Sequence, residues 1–133
     1  MSKRILLGVL LALSAGSAAA QTATVASGVN TLVVQHWGLG PGCRAQHILL
    51  RVTSPPAHGK VSVRSVRVVV PAQATAGGAQ PSQCVGRSVA GVALYYQSAR
   101  GFVGEDTFTY SRINTSNAGD RLNGDVTRTV SVR

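Results

Sequence analysis

The stretch GFVGEDTFTY, residues 101–110, decides how this chain is read. A glycine turn comes first, then two acids, then Phe108 and Tyr110 spaced two apart. Successive side chains of a β-strand point to opposite faces, so this spacing puts both rings on one face. An ionised carboxylate only accepts hydrogen bonds, and Asp106 is therefore expected to cap backbone N–H groups of the preceding turn. Glu105 is expected in solvent. These two residues are half of the only 4 acids in the chain, set against 13 Lys and Arg and a formal net charge of +9.

Outward from this stretch the same grammar continues. Apolar residues alternate by two and are interrupted by Gly, Pro, Ser and Asn clusters, which is the pattern of an antiparallel β domain. Residues 22–35 are Thr- and Val-rich and suit one or two strands. Residues 36–45 (HWGLGPGCRA) form a Gly/Pro loop that carries Trp37 and Cys43. Ile48, Leu50 and Val52 then alternate inward, and SPPAHG at 54–59 turns the chain. Val61 and Val63 alternate in one phase and Val66, Val68 and Val70 in the other, so a β-bulge or bend is expected near Ser65. Residues 71–88 read as a long loop pinned at Cys84. Val92, Leu94 and Tyr96 mark a further strand, residues 106–112 another, residues 114–124 a loop, and Val126, Val130 and Val132 the last strand. About seven short strands in one domain predict a two-sheet Greek-key sandwich.

The first 20 residues stand apart. Lys3 and Arg4 precede a short apolar run, Ile5 to Leu13, and Ala18-Ala19-Ala20 supplies the small residues of a cleavage site. That is the pattern of a secretory signal peptide over 1–20, leaving one domain at 21–133. The apolar run is about half the roughly 20 residues that a spanning helix needs. Removing Lys3 and Arg4 leaves 11 basic residues against 4 acids, a net +7. The expected location is the periplasm or the cell exterior. In that oxidising setting Cys43 and Cys84, the only 2 cysteines, are expected to form one disulfide. It would close a loop of about 42 residues and contribute roughly 4 kcal/mol on the chain-entropy estimate.

In immunoglobulin-type sandwiches a tyrosine opens the penultimate strand, with its ring in the core and its hydroxyl returning to backbone slightly upstream. Tyr110 is read in that place. The longer run LYYQSARGFVGEDTFTY resembles the C-terminal half of the bacterial immunoglobulin-like, cadherin-like repeats of secreted and surface proteins. Tyr96, Phe102, Gly104, Asp106, Phe108 and Tyr110 match their Y-x-P-x-x-x-F-x-G-x-D-x-F-x-Y pattern, with Ser98 in place of the proline. PAHGKVSV resembles the P-x-H-G-x-V turn of the same repeats through Pro56, His58, Gly59 and Val61. The resemblance spans roughly residues 55–110 and implies an all-β, immunoglobulin-like sandwich. The chain departs from the repeats in standing as one domain, in its cysteine pair, and in Ser111-Arg112-Ile113-Asn114 after the tyrosine. A shared sandwich fold does not carry a shared activity.

Few residues point to chemistry. Calcium takes six to eight oxygen ligands, more than Glu105, Asp106, Asp120 and Asp125 readily supply. The sequence shows no nucleophile elbow, Cys-His arrangement or phosphate loop, so an enzyme is not expected, and neither is a cofactor. His58 is expected to pack over its own turn. The charge remains. Arginine's planar fork suits phosphate and carboxylate oxygens, and Arg51, Lys60, Arg64 and Arg67 fall on outward strand positions that could share one face. The leading expectation is an exported, non-catalytic binding or structural module that engages an anionic envelope polymer or another envelope protein. The alternative is a periplasmic ligand or metal carrier using His36, His47 and His58. Aromatics are too sparse for a nucleic-acid stacking platform.

Overall fold

The computed structural model describes residues 22–74 and 78–133. The expected signal peptide falls on residues that lie outside this range. Nine strands follow in order: β1 Thr22–Val25, β2 Thr31–His36, β3 Ile48–Ser54, β4 Gly59–Val69, β5 Gln73–Ala74, β6 Gly78–Ala79, β7 Ser88–Ser98, β8 Gly104–Asn114 and β9 Gly124–Val132. A 3-10 turn, Pro41–Cys43, lies between β2 and β3. Seven of the strands build two sheets, β1-β9-β8-β3 and β2-β7-β4. The chain crosses between sheets after β1, β2, β3 and β7, which gives an immunoglobulin-like Greek-key sandwich. One pair departs from the antiparallel expectation, since β1 runs parallel to β9. The segment 71–88 is also more structured than a plain loop, because β5 and β6 form a small antiparallel ladder within it.

The alternation read from the sequence builds the main core. Val25, Val34, Ile48, Leu50, Leu94, Tyr96, Phe108, Tyr110, Val130 and Val132 pack there. Tyr96 and Tyr110 are fully buried. A second cluster gathers Val68, Val70 and Val89 around the disulfide, with Trp37, Leu39 and Val66 against it. Cys43 and Cys84 are bridged, with Cα atoms 5.5 Å apart. Such a bridge constrains the unfolded chain most when the loop is long, and here the separation is 41 residues.

These two cores explain the change of phase in β4 and overturn the expected bulge near Ser65. β4 pairs with β7 in unbroken register from Gly59↔Ser98 to Val69↔Ser88. Val61 packs on the main core, whereas Val66 and Val68 belong to the cluster at the disulfide. With a period of two, positions 61 and 66 lie on opposite faces of one strand. The strand therefore serves a core on each face and needs no extra residue. Gly91 opposite Val66 permits this arrangement: a Cβ there would lie 3.0 Å from Val68 Cγ2 and 3.4 Å from Trp37 Cβ. Register shifts do occur elsewhere, in β2 between Leu32 and Val34 and in β3 between Val52 and Ser54.

Candidate anion-binding face

The first requirement of a site for an anion is that protein carboxylates do not occupy it. Asp106 is buried and saturated. Its Oδ1 accepts from the N–H groups of Ala57 and Thr107, each at 3.0 Å. Its Oδ2 accepts from His58 N–H at 3.0 Å and from the Tyr96 hydroxyl at 2.8 Å. The expected backbone cap is real, but its target is the 55–58 turn between β3 and β4 rather than the glycine turn just before it. The reason is that residue 106 faces the sandwich interior, where the β3–β4 crossing passes. Burial, followed by this bond to Asp106, holds the Tyr96 phenol well above its usual pKa.

The two sequence motifs thus meet in one place. His58 stacks on Phe102 with ring centroids 4.2 Å apart and an interplanar angle of 8°, so its ring does pack at the turn. Gly59 is required by close approach, since a Cβ there would sit 2.6 Å from the Gln97 carbonyl and 2.9 Å from the Tyr96 ring. Ser98, at the position of the expected proline, is buried and accepts the Gly28 N–H at 2.8 Å. It thereby ties the β1–β2 turn to β7.

Tyr110 lies in the core as expected, but its hydroxyl does not return to nearby backbone. It meets His36 Nε2 at 2.9 Å, across the sandwich at the end of β2. Burial lowers the His36 pKa to about 4, and the charges of Arg112 and Arg128 push in the same direction.

Asp120 is engaged as well. It pairs with Arg112 at 3.0 Å and accepts from Asn114 Nδ2 at 2.9 Å and Leu122 N–H at 3.0 Å. These bonds, the one from Asn114 foremost, lower its pKa to about 2. Arg112 and Asn114 are 2% and 1% exposed. Arg112 is therefore an internal strut and contributes nothing to a basic surface. Asn114 also donates to Gln46 Oε1 at 2.8 Å. The sequence predicts a loop over 114–124, and this network goes beyond that expectation. A usable signal was present: Asn114, Asn117, Asp120 and Asn123 recur every three residues. Each of the last three N–H groups bonds the carbonyl three residues back, as Asx-initiated turns do.

Glu105 and Asp125 are the remaining acids. Both point out from the four-stranded sheet, opposite Ser131 and Ser111. All four carboxylates thus belong to β8, β9 and the loop between them, and the three-stranded sheet carries none. That sheet bears exposed Lys60 and Arg64 on its outer face and Arg67 at the far end of β4. Arg64 lies over the Tyr95 ring, 4.8 Å from the centroid. Arg67 has the opposite parity to Arg64 and bonds the Ser88 carbonyl at 2.9 Å. Arg51 lies on β3, outside the other sheet. The four candidate cations therefore do not share one face: Lys60 and Arg64 do, Arg67 is on the same strand, and Arg51 is separate.

The histidines are also dispersed. His36 bonds Tyr110, His58 stacks on Phe102, and His47 Nδ1 meets Thr115 Oγ1 at 2.9 Å. His36 and His47 do line a common cleft. Among the described residues no group of three or more His, Cys, Asp or Glu side chains is placed to hold a metal. Among the same residues no helix is long and apolar enough to cross a membrane.

No protein-family model matches the chain, and neither a curated protein nor a solved structure matches it significantly.

Proposed function

We propose that this chain is an exported, non-catalytic module of the cell envelope that binds anionic polymers through the basic outer face of its three-stranded sheet. The observation that carries this reading is charge segregation. Lys60 and Arg64 stand on a sheet without a carboxylate, while the chain's acids are buried in bonds or lie on the opposite sheet. A polyanion approaching this sheet meets attraction without local repulsion. Stacking on Tyr95 holds the Arg64 guanidinium in place while its N–H groups remain available to phosphate or carboxylate oxygens.

Export rests on the N-terminal pattern of residues 1–20 and fits the Cys43–Cys84 disulfide. We place the domain beside the bacterial immunoglobulin-like, cadherin-like repeats. The meeting of Tyr96, Asp106, Phe102 and His58 supports that placement, because it gives both shared motifs one structural purpose.

The test is binding to lipopolysaccharide and to polyphosphate as salt rises from about 0.01 M to about 1 M, where the screening length falls from about 30 Å to about 3 Å. Affinity should fall steeply across that range. Affinity that stays flat removes the basic face as the binding surface.

A further inference from the structure

We propose that the free edge of β4 is a strand-addition site for an extended segment of another protein in which acidic and apolar residues alternate. β4 is 11 residues long and pairs along its length with β7 on one side. No described strand covers the other side. A row of unpaired N–H and C=O groups is a template for an incoming strand. Beside this edge the two sheets do not close. A cleft of about 310 Å³ lies between β3, β4 and β7, with Leu50, Val63 and Val92 among its walls. Leu49 and Val63, one on each edge strand, line it and remain 47% and 45% exposed.

Strand periodicity specifies the occupant. Lys60, Ser62 and Arg64 face outward from β4, and Val61, Val63 and Ser65 lie on the side of the core and cleft. A strand laid along the edge sets its own side chains beside these two rows in turn. Acidic residues complement the row of Lys60 and Arg64. Apolar residues complement the row of Val61 and Val63, from which they reach the cleft. The same cations select against a second copy of this chain, because two β4 edges brought together would oppose like charges. Basic residues on an edge often serve only to block pairing. A blocked edge, however, has no need of exposed Val63 and Val69 or of an open apolar cleft beside it.

The experiment uses the mature chain and a short synthetic peptide of alternating Glu and Val. The peptide should bind and should protect β4 amides from hydrogen exchange. N-methylation of its backbone keeps the charge but removes main-chain hydrogen bonds, and should weaken binding by about tenfold or more. The double variant Lys60→Glu/Arg64→Glu, checked for an unchanged thermal midpoint, should lose the Glu–Val peptide and gain one of alternating Lys and Val. Equal binding by the N-methylated peptide, or by a Glu–Ser peptide, would reduce the association to charge alone. That result would overturn strand addition while leaving polyanion binding intact. Failure of the Glu–Val peptide to bind under conditions where polyphosphate binds would overturn it as well.

Discussion

Tyr96 donates its hydroxyl to Asp106 Oδ2 at 2.8 Å, joining β7 of one sheet to β8 of the other inside the core. The same carboxylate holds the Ala57 and His58 N–H groups of the β3–β4 crossing. One buried anion thus fixes where the chain leaves the four-stranded sheet, and therefore how the basic strand β4 begins.

Asp106→Ala should destabilise the fold by about 3 kcal/mol or more. Hydrogen bonds to a charged group contribute about 1.5–3 kcal/mol each, and the substitution strands several donors at once. Tyr96→Phe removes one donor and leaves the carboxylate its three N–H partners, so it should cost about 1–3 kcal/mol. Urea unfolding followed by circular dichroism measures both. Equal losses in the two variants would show that Asp106 does not organise the turn.

His36 makes stability depend on pH in a definite window. Its folded pKa of about 4 lies below the ordinary histidine value of 6.5, so between these values the unfolded chain binds more protons than the folded one. Stability should therefore fall as pH drops from about 6.5 to about 4, and this contribution should then level off. Asp120, held at about 2 against an ordinary aspartate value of 3.8, adds a further loss at lower pH. His36→Gln should flatten the upper part of the profile. A thermal midpoint that is level from neutral pH down to 4 in the parent protein would contradict the burial of this ring.

Reducing the Cys43–Cys84 bridge should lower stability by roughly 4 kcal/mol on the chain-entropy estimate. The loss should be read first around Val68, Val70 and Val89, which pack beside it, by faster hydrogen exchange at the β4–β7 end of that sheet. Free-thiol labelling of the native protein would refute the bridge.

The β architecture, the inward rows of β3, β7, β8 and β9, and the cysteine pairing were legible in the sequence because each rests on local periodicity or on a count of residues. Partner choice across the sandwich was not. Asp106 was legible as a cap, yet its target lies 48 residues away and is set by which loop crosses above β8. The same limit hid the Tyr110–His36 contact. Arg112 counts toward the net charge of the chain, but its parity on β8 places it inside with Asp120 as counter-charge. The change of phase in β4 misled for a related reason: one strand packs against two cores, and a pattern of apolar residues does not show which face each core occupies.

The most direct test compares two variants that each lose two positive charges. Calorimetric titration with polyphosphate would be run on Lys60→Ala/Arg64→Ala and on Arg121→Ala/Arg133→Ala, two exposed residues that belong to no strand of the three-stranded sheet. The basic-face account predicts that the first pair loses about tenfold or more in affinity, about 1.4 kcal/mol, and that the second stays close to the parent. Equal losses in the two pairs would mean that net charge alone does the binding and would contradict the account.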